Sequence, residues 1–235
     1  MTGLSDRSRR VAGQYARSTE RALRLRTLIA LGVLAVVTAL AGRWFGTNGK
    51  VFLGWDVLLL MCMFAISRYV LPLLERRDRG ARAEEHVGGL LDHLAGWRVI
   101  HDANMGHGNV DHILIGPAGV FTVETKSRSD PVRVSTVHGA TLRQAHAQRR
   151  AVESITGLKV EPLLVYSSAW VDRPMSRRRG VRVVPARLLL SYLTGRRRSL
   201  SGEQIELAHH VLAAALTERH LRSRLRERAG TFSRL

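Results

Sequence analysis

The chain has 235 residues, a formal net charge of +18 and one cysteine. A single cysteine excludes an intramolecular disulfide and a redox pair, and neither a Cys-x-x-Cys nor a His-x-x-x-His zinc spacing occurs. The large positive charge suits an anionic partner, but by itself it does not separate nucleic acid from an anionic lipid surface.

The first part of the chain is basic and then apolar. Residues 1–26 carry seven arginines against the acids Asp6 and Glu20, and we assign them as a basic cytoplasmic N-terminal segment. Residues 27–41 are wholly apolar or small, and residues 51–74 are mostly so. Each run approaches the roughly 20 apolar residues that a helix needs to cross a bilayer.

We therefore predict a two-helix membrane hairpin over residues 27–74, with the short turn Gly46–Lys50 between the helices. A buried pair of core helices and a hairpin lying in the membrane interface are alternatives. A cleaved signal peptide is a third, because Ala39-Leu40-Ala41 has the small-x-small form, although the basic leader is longer than most.

Arginines set the predicted orientation of this hairpin. They precede the first apolar run and follow the second at Arg76, Arg77, Arg79 and Arg82, whereas the connecting turn carries few. The positive-inside rule then puts both termini in the cytoplasm. The prediction is a multi-pass protein of the cell membrane, with membrane lipid as one partner.

A helix is predicted over residues 80–95, where four side chains recur at spacings of three and four. This stripe consists of Glu84, Val87, Leu91 and Leu94. Glu84 therefore shares the inward face of an apolar helix, whereas its neighbour Glu85 points elsewhere. The alternative role for Glu84 is to complement the helix dipole at the N-terminal end.

Residues 110–126 predict a β-hairpin. Two runs of β-branched and aliphatic residues flank Gly116-Pro117-Ala118-Gly119, which is a turn sequence. A symmetric turn centred between Pro117 and Ala118 pairs residues whose numbers sum to 235.

This register predicts that three charged side chains meet. Asp111 and Glu124 satisfy the sum, so their β-carbons are expected roughly 5 Å apart. Lys126 projects from the same face as Glu124, because side chains alternate along a strand. The chain has only three lysines, Lys50, Lys126 and Lys159, among 37 basic residues. A lysine here therefore indicates a need for a compact ammonium, which can lose its proton when buried.

Two facing carboxylates repel each other unless a cation lies between them. Hard oxygen ligands of this kind suit Mg²⁺ or Mn²⁺. The alternative is a structural salt-bridge cluster of Asp111, Glu124 and Lys126, against which the facing carboxylates argue.

Further strands and helices are predicted downstream. Strand patterns occur at residues 132–134, 160–166 and 181–184, and helix patterns at residues 140–156 and 203–228. The inward stripe predicted for the first of these helices is Gln144, Ala147, Ala151 and Ile155. The apolar face predicted for the last is Ile205, Leu207, Ala208, Val211, Leu212, Ala215 and Leu216.

Basic residues and lone aromatic residues accompany the hairpin. Arginines gather at Arg128, Arg133, Arg143, Arg149 and Arg150, and in two runs at residues 177–179 and 196–198. Trp97 and Trp170 stand singly, and we expect them in the core rather than in base stacking. His107 precedes the hairpin in a Gly-His-Gly loop, where it either contacts a phosphate or is solvated. His112 alternates to the face opposite Asp111 and is not predicted as a ligand.

An aspartate, a dozen residues and then Glu-x-Lys on a hairpin resemble the PD-(D/E)xK nuclease superfamily. The segment GNVDHILIGPAGVFTVETK at residues 108–126 resembles the nuclease-related domain (NERD) family, and the similarity runs from about Gly80 to Pro185. Glu84 matches the acidic residue that opens the family pattern, although the family usually has glycine where Ala83 stands. Gln144 matches a glutamine that orients the site in related nucleases; otherwise it is a surface glutamine.

The resemblance implies an α/β fold with a restriction-endonuclease-like α-β-β-β-α-β core, its sheet lying between helices. Here two transmembrane helices precede that core. The predicted domains are the basic segment at 1–26, the membrane hairpin at 27–74, the nuclease-related domain at 80–195 and a C-terminal basic helix at 196–235.

The resemblance also implies a membrane-anchored, metal-dependent nuclease that hydrolyses phosphodiester bonds of nucleic acid, DNA in preference to RNA. The implied ligands of Mg²⁺ (or Mn²⁺) are Asp111, Glu124 and the backbone carbonyl of Thr125. The implied catalytic residues are Lys126, which deprotonates or orients the attacking water, Glu84 and Gln144. The alternative is a non-catalytic nucleic-acid-binding or scaffold module tethered to the membrane.

Overall fold

A computed structural model describes residues 49–105 and 108–232, together with isolated residues between 25 and 40. It divides into two compact units, one running up to Ala81 and the other spanning residues 82–235. Six of the fifteen residues of the first predicted membrane span, 27–41, lie outside the described residues, and the nine that are described are helical.

The first unit is helical where it is described. Helix α1 covers Gly49–Ala65, a π-helical turn follows at Ile66–Val70, and helix α2 covers Leu71–Asp92. The residues of α2 from Arg82 onward belong to the second unit. By length and composition, one helical stretch of the described chain, Val57–Asp92, can cross a membrane. Its most apolar window has a mean hydropathy of 2.1 and no buried residue. The second predicted apolar run is therefore helical, and none of its side chains from Val57 to Leu74 is buried.

The second unit is built on a six-stranded mixed sheet with the strand order β1-β2-β3-β4-β6-β5. The strands are β1 (Arg98–Asn104), β2 (Asn109–Gly116), β3 (Gly119–Lys126), β4 (Val160–Tyr166), β5 (Arg177–Arg178) and β6 (Val181–Pro185). β2 is antiparallel to both of its neighbours, β1 and β3; β3, β4 and β6 run parallel; and β5 is antiparallel to β6.

The β2–β3 turn confirms the predicted register. Pairs run from Gly116–Gly119 to His112–Val123, and every pair sums to 235. Gly119 has φ +123°, which is accessible to glycine and strained for other residues. A β-carbon at Gly116 would lie 2.1 Å from the ring of Trp97, so the ring packs directly on the turn backbone.

Helices cover both faces of the sheet. Helix α3 spans Gly139–Thr156, α4 spans Leu189–Thr194 and α5 spans Gly202–Phe232, with 3₁₀ turns at Val134–Thr136 and Ala186–Leu188. On one face, Val87 and Leu91 of α2 and Leu189 and Leu193 of α4 pack on Phe121. On the other, Val152 of α3 and Ile205 and Leu212 of α5 pack on Ile113 and Ile115. The expected sheet between helices is therefore present.

The predicted α-β-β-β-α-β order is present, but one of its strands was misassigned. Residues 132–134 form only a single bridge, Val132 to Val171, followed by a 3₁₀ turn. The third strand is β1, which precedes the hairpin. His101 and Asp102 interrupt its apolar pattern, so the sequence pattern is too weak to mark it as a strand.

The last helix is also longer than predicted, and its buried face is narrower. Ile205, Ala208 and Leu212 are buried, whereas Leu207 and Val211 are exposed.

Candidate functional site

The site begins at an interruption in two strand ladders. The β1–β2 register pairs His101 with His112 and Ala103 with Val110, and it is broken between these pairs, where Asp102 and Asp111 lie. Asp102 has φ +52°, a left-handed conformation that is uncommon outside glycine. Such local distortions are frequent where a strand must redirect a side chain.

The same interruption changes the side-chain alternation of β2. Val110 and Ile113 pack in one core cluster although they are three residues apart, so the alternation slips by one position between them. Asp111 lies in this slip. Its Oδ2 accepts a hydrogen bond of 2.6 Å from the backbone N–H of Thr125.

Asp111 and Glu124 therefore meet in a different way from the one predicted. The predicted register holds, but the β2–β3 ladder ends at His112–Val123, one position short of this pair. Instead of facing Glu124 in a regular ladder, the Asp111 carboxylate binds the N–H of the next residue. At this end of the hairpin, the Thr125 N–H therefore donates to the Asp111 side chain and not to a backbone carbonyl of β2.

Glu124 is the centre of the site. Its side chain is 3% exposed, and its Oε1 accepts hydrogen bonds from Lys126 Nζ at 2.5 Å and Gln144 Nε2 at 2.9 Å. Its Oε2 accepts one from Gln148 Nε2 at 2.6 Å. Lys126 and Glu124 therefore share a face, as predicted, and Gln144 reaches the site.

Gln148 was missed from the sequence. It is buried, and it also donates to the backbone carbonyl of Asn109 at 3.0 Å. The buried stripe of α3 is Leu142, Ala145, Gln148 and Val152, shifted from the predicted stripe that began at Gln144. Each of the two stripes contains one glutamine and three apolar residues at spacings of three and four, so the sequence pattern alone does not distinguish them.

Glu84 reaches the site from α2. Burial, followed by the charges of Asp102 and Glu124, raises the pKa of Glu84 to about 7, against the opposing charge of Lys126. The predicted helical stripe is correct in that Val87 and Leu91 are fully buried below it. Glu84 is therefore part of the carboxylate group and more than a dipole complement.

The carboxylates disturb one another. Burial raises the pKa of Asp111 well above its usual range, and the charges of Glu124 and Glu84 raise it further. The Thr125 N–H and the Lys126 ammonium oppose this rise without cancelling it. The site therefore holds more negative charge than its own ammonium balances.

Lys126 responds in the opposite sense. Burial lowers the pKa of Lys126, but the ion pair with Glu124 and the charge of Asp111 more than offset this, so the net pKa is raised. In this arrangement Lys126 is a charged ammonium. The raised pKa favours the charged ammonium over the neutral amine.

The donor set fits a hard divalent cation. Glu124 Oε1 already accepts two hydrogen bonds, which leaves Asp111 Oδ1 and one lone pair on Glu124 Oε2. The amide oxygen of Gln148 is buried without a hydrogen-bond partner in the described chain. These are oxygen donors of the kind that Mg²⁺ and Mn²⁺ prefer.

The set is small. Among the described residues, no group of three or more His, Cys, Asp or Glu side chains is arranged to hold a metal ion. Glu84 therefore stands beside the pair of Asp111 and Glu124 and does not complete a three-carboxylate cage. A third protein ligand would have to be a neutral oxygen, such as the amide oxygen of Gln148 or the predicted carbonyl of Thr125.

The histidines lie elsewhere. His112 is fully buried, and its Nδ1 lies 2.9 Å from Nδ1 of His101, whose Nε2 lies 3.0 Å from Asp92. Burial and the neighbouring His101 lower the pKa of His112 to about 3. A neutral ring enclosed in this way is a structural group. His107 lies outside the described residues.

With this geometry in place, comparison with known families is informative. Residues 79–167 match the nuclease-related domain (NERD) family. The matched region contains every residue of the site: Glu84, Asp102, Asp111, Glu124, Thr125, Lys126, Gln144 and Gln148. The matched region ends one residue after β4.

Three solved structures show partial similarity, each with a TM-score of 0.25. They are an EndoMS–dsDNA2 complex (18% identity, 46% of this chain and 38% of that chain), a repair endonuclease from Pyrococcus abyssi (17%, 60% and 46%) and Pyrococcus furiosus SfsA in complex with Ca²⁺ (17%, 57% and 53%). The chain thus covers about half or less of each. Scores this low carry no argument about function. No curated protein matches the sequence.

Proposed function

We propose that the nuclease-related domain hydrolyses phosphodiester bonds of nucleic acid, with Mg²⁺ or Mn²⁺ as its cofactor. The observation that carries the proposal is the carboxylate excess around Lys126. Glu84, Asp111 and Glu124 are close enough to raise the pKa of a neighbour, although a packed domain normally avoids such groupings. Groups with perturbed pKa values cluster at functional sites.

Asp111, Glu124 and the Thr125 carbonyl would hold the cation. When bound, a divalent cation polarises the scissile phosphate and lowers the pKa of the attacking water. Gln144 and Gln148 fix the Glu124 carboxylate from two sides, which limits its rotation.

Lys126 and Glu84 supply the remaining chemistry from the chain itself. The Lys126 ammonium orients the attacking water and offsets the negative charge that develops on the phosphate in the transition state. Glu84, with a pKa of about 7, can accept or release a proton near neutral pH.

We further propose that the chain is anchored in the cell membrane with this domain in the cytoplasm. The most apolar window of the Val57–Asp92 stretch contains no buried residue, and this supports an anchor. Arg76, Arg77 and Arg79 follow it and support a cytoplasmic orientation by the positive-inside rule. Resistance to alkaline extraction of membranes, with the domain protease-sensitive only after cell lysis, tests this placement.

The first experiment uses the full-length chain in detergent. Calorimetric titration with Mn²⁺ and Mg²⁺ compares the wild type with Asp111→Asn, and cleavage of DNA and of RNA is measured in the same buffers. Asp130→Asn is the matched control, because Asp130 is an exposed aspartate in the loop after β3. We expect Asp111→Asn to lose both metal binding and cleavage, and Asp130→Asn to keep both.

The outcomes separate the proposal from its rival. Full metal-dependent cleavage by purified Asp111→Asn protein would refute the assigned site. Metal and nucleic-acid binding by the wild type without cleavage of either polymer would favour the non-catalytic tethering module. No metal binding at all would reduce the cluster to a structural one.

A further inference from the structure

A pocket of about 160 Å³ opens beside the site, at the carboxyl ends of β4 and β6. Tyr166, Ser167, Ser168 and Trp170 form one part of its lining, and Pro185 and Arg187 form another. Most of these residues follow the region that matches the nuclease-related domain. The pocket therefore needs its own explanation.

The pocket adjoins the catalytic lysine through the sheet. Tyr166 pairs with Lys126 in the parallel β3–β4 register, and Ser167 N–H donates to the Lys126 carbonyl at 3.1 Å. Neighbouring strands lie about 4.8 Å apart. A group held in the pocket would therefore lie next to a phosphate held at the site.

Trp170 is the unusual part of the lining. We expected this residue in the core, but it is 55% exposed. Its backbone is nevertheless fixed, because its carbonyl accepts from Val132 N–H at 2.8 Å and Asp172 N–H donates to the Val132 carbonyl at 3.0 Å. An aromatic ring exposed on an anchored backbone is a ready surface for stacking, since little conformational freedom is lost when a partner binds.

Cationic side chains lie near the pocket. The pKa of Tyr166 is raised by burial, and the positive charges of Arg128 and Lys126 act in the opposite direction. Arg187 lines the opening. Cations beside an aromatic ring form the arrangement that binds single-stranded nucleic acid, with charges along the backbone and a ring under a base.

The volume of the pocket suits a single ring. Its 160 Å³ is close to the roughly 150 Å³ of a cavity that holds benzene, so one flat heterocycle fits it. The hydroxyls of Ser167 and Ser168, 3.4 Å apart, offer polar contacts at its edge.

We propose that this pocket binds one unpaired nucleobase stacked on Trp170, next to the phosphate at Lys126. The inference rests on the proposed function, and it names the substrate as nucleic acid that is single-stranded or locally unpaired. Neither the carboxylate cluster nor the family match indicates a preference for single-stranded nucleic acid.

The test measures binding by the full-length chain in detergent, with EDTA present so that nothing is cleaved. The probes are a labelled 12-nucleotide single strand, the same strand with abasic positions, and the matching duplex. We expect Trp170→Ala to weaken single-strand binding about tenfold, the usual scale for losing one stacked base. Trp170→Phe should restore most of the affinity, because a phenyl ring still stacks.

Two controls isolate stacking from folding and charge. Leu207→Ala truncates another exposed apolar side chain, on α5, and should leave the affinity unchanged. The abasic strand and the duplex should bind Trp170→Ala and wild type equally. Unchanged single-strand affinity in Trp170→Ala, or an equal loss for the abasic strand, would overturn the proposal.

The design also separates this inference from the proposed function. If the protein cleaves nucleic acid with metal but Trp170→Ala binds the single strand as tightly as wild type, the base-pocket proposal is refuted and the nuclease proposal stands. If single-strand affinity depends on Trp170 but the wild type cleaves nothing, the base-pocket proposal stands and the nuclease proposal is refuted.

Discussion

Two glutamates on neighbouring parallel strands experience opposite surroundings. Glu124 on β3 lies among other carboxylates and one ammonium. Glu161 on β4 accepts hydrogen bonds from Arg177 and Arg182, both at 2.8 Å, and from the Tyr192 hydroxyl at 3.0 Å. A third cation, Arg196, pairs with it at 3.0 Å.

The difference appears in the pKa values. Burial raises the pKa of Glu161, but the hydrogen bonds from Arg177, Arg182 and Tyr192 outweigh it, so the net pKa is lowered. At the other cluster the pKa of Asp111 is raised. A carboxylate whose charge is over-compensated holds the fold together, whereas uncompensated carboxylates indicate a site that expects a cation.

The comparison also changes the meaning of the net charge of +18. Arg177 and Arg196 belong to the two arginine runs that we first regarded as a surface for anionic partners. Both instead bind Glu161. Part of the arginine surplus is therefore structural, and the sequence count overstates the charge available to nucleic acid or lipid.

The largest expected effect is on catalysis. Lys126→Ala should lower the turnover of nucleic-acid cleavage about 10³-fold, because it removes the ammonium that offsets transition-state charge. Single-turnover cleavage under saturating metal measures this. Lys159→Ala is the control, because Lys159 is exposed. Equal turnover in the two variants would remove Lys126 from the mechanism.

The next effect sharpens the role of Gln148. Gln148→Leu should weaken Mn²⁺ binding by about 10- to 100-fold, since it removes a donor that fixes Glu124. Gln144→Leu should have a smaller effect, because Gln144 is exposed and makes one such contact. Calorimetry on both variants decides; a larger loss for Gln144 would reverse this ranking.

The glutamate of the balanced cluster should behave as a structural residue. Glu161→Gln should lower the free energy of unfolding by about 2 kcal/mol, because the arginines lose a charged acceptor. Cleavage per folded molecule should not change. Urea unfolding and a cleavage assay on the same preparation measure the two quantities, and a selective loss of cleavage would contradict this assignment.

The stability lost in Glu161→Gln should depend on pH. The folded pKa of Glu161 lies below its usual value of 4.5, so its stabilisation is complete above that pH. It is lost as the pH falls through the lowered folded value. The stability difference between wild type and Glu161→Gln should be constant from neutral pH to about pH 5 and shrink below it. A difference that grows on acidification would show the opposite sign.

The smallest effect is expected to be a gain. Asp111→Asn should raise the free energy of unfolding in EDTA by about 1 kcal/mol, because it relieves repulsion while the amide oxygen still accepts from Thr125 N–H. Denaturant unfolding of both proteins at neutral pH measures it. If Asp111→Asn instead lowers the free energy of unfolding as much as Glu161→Gln does, then the carboxylates around Glu124 stabilise the fold as Glu161 does.

Local patterns were sufficient to predict the hairpin. Its turn chemistry determined the register, and the register placed Glu124 and Lys126 on one face. The resemblance supplied Glu84 and Gln144, both of which reach the site.

Features that depend on several segments at once could not be predicted. The slip at Asp111 arises where β1, β2 and β3 meet, and Gln148 is buried only because Glu124 lies opposite. The exposure of Trp170 depends on how its loop is tied to Val132. Periodicity records one segment at a time, so it carries none of this information.

The hydrogen bond between the Asp111 carboxylate and the Thr125 amide has a spectroscopic consequence. The Thr125 amide proton is hydrogen-bonded to a carboxylate, Asp111, that becomes protonated in acid and would ligate a bound cation. The Thr125 amide resonance, and its rate of exchange with deuterated solvent, therefore report on the state of the site from within the chain. An isotope-labelled sample contains this reporter without any attached dye.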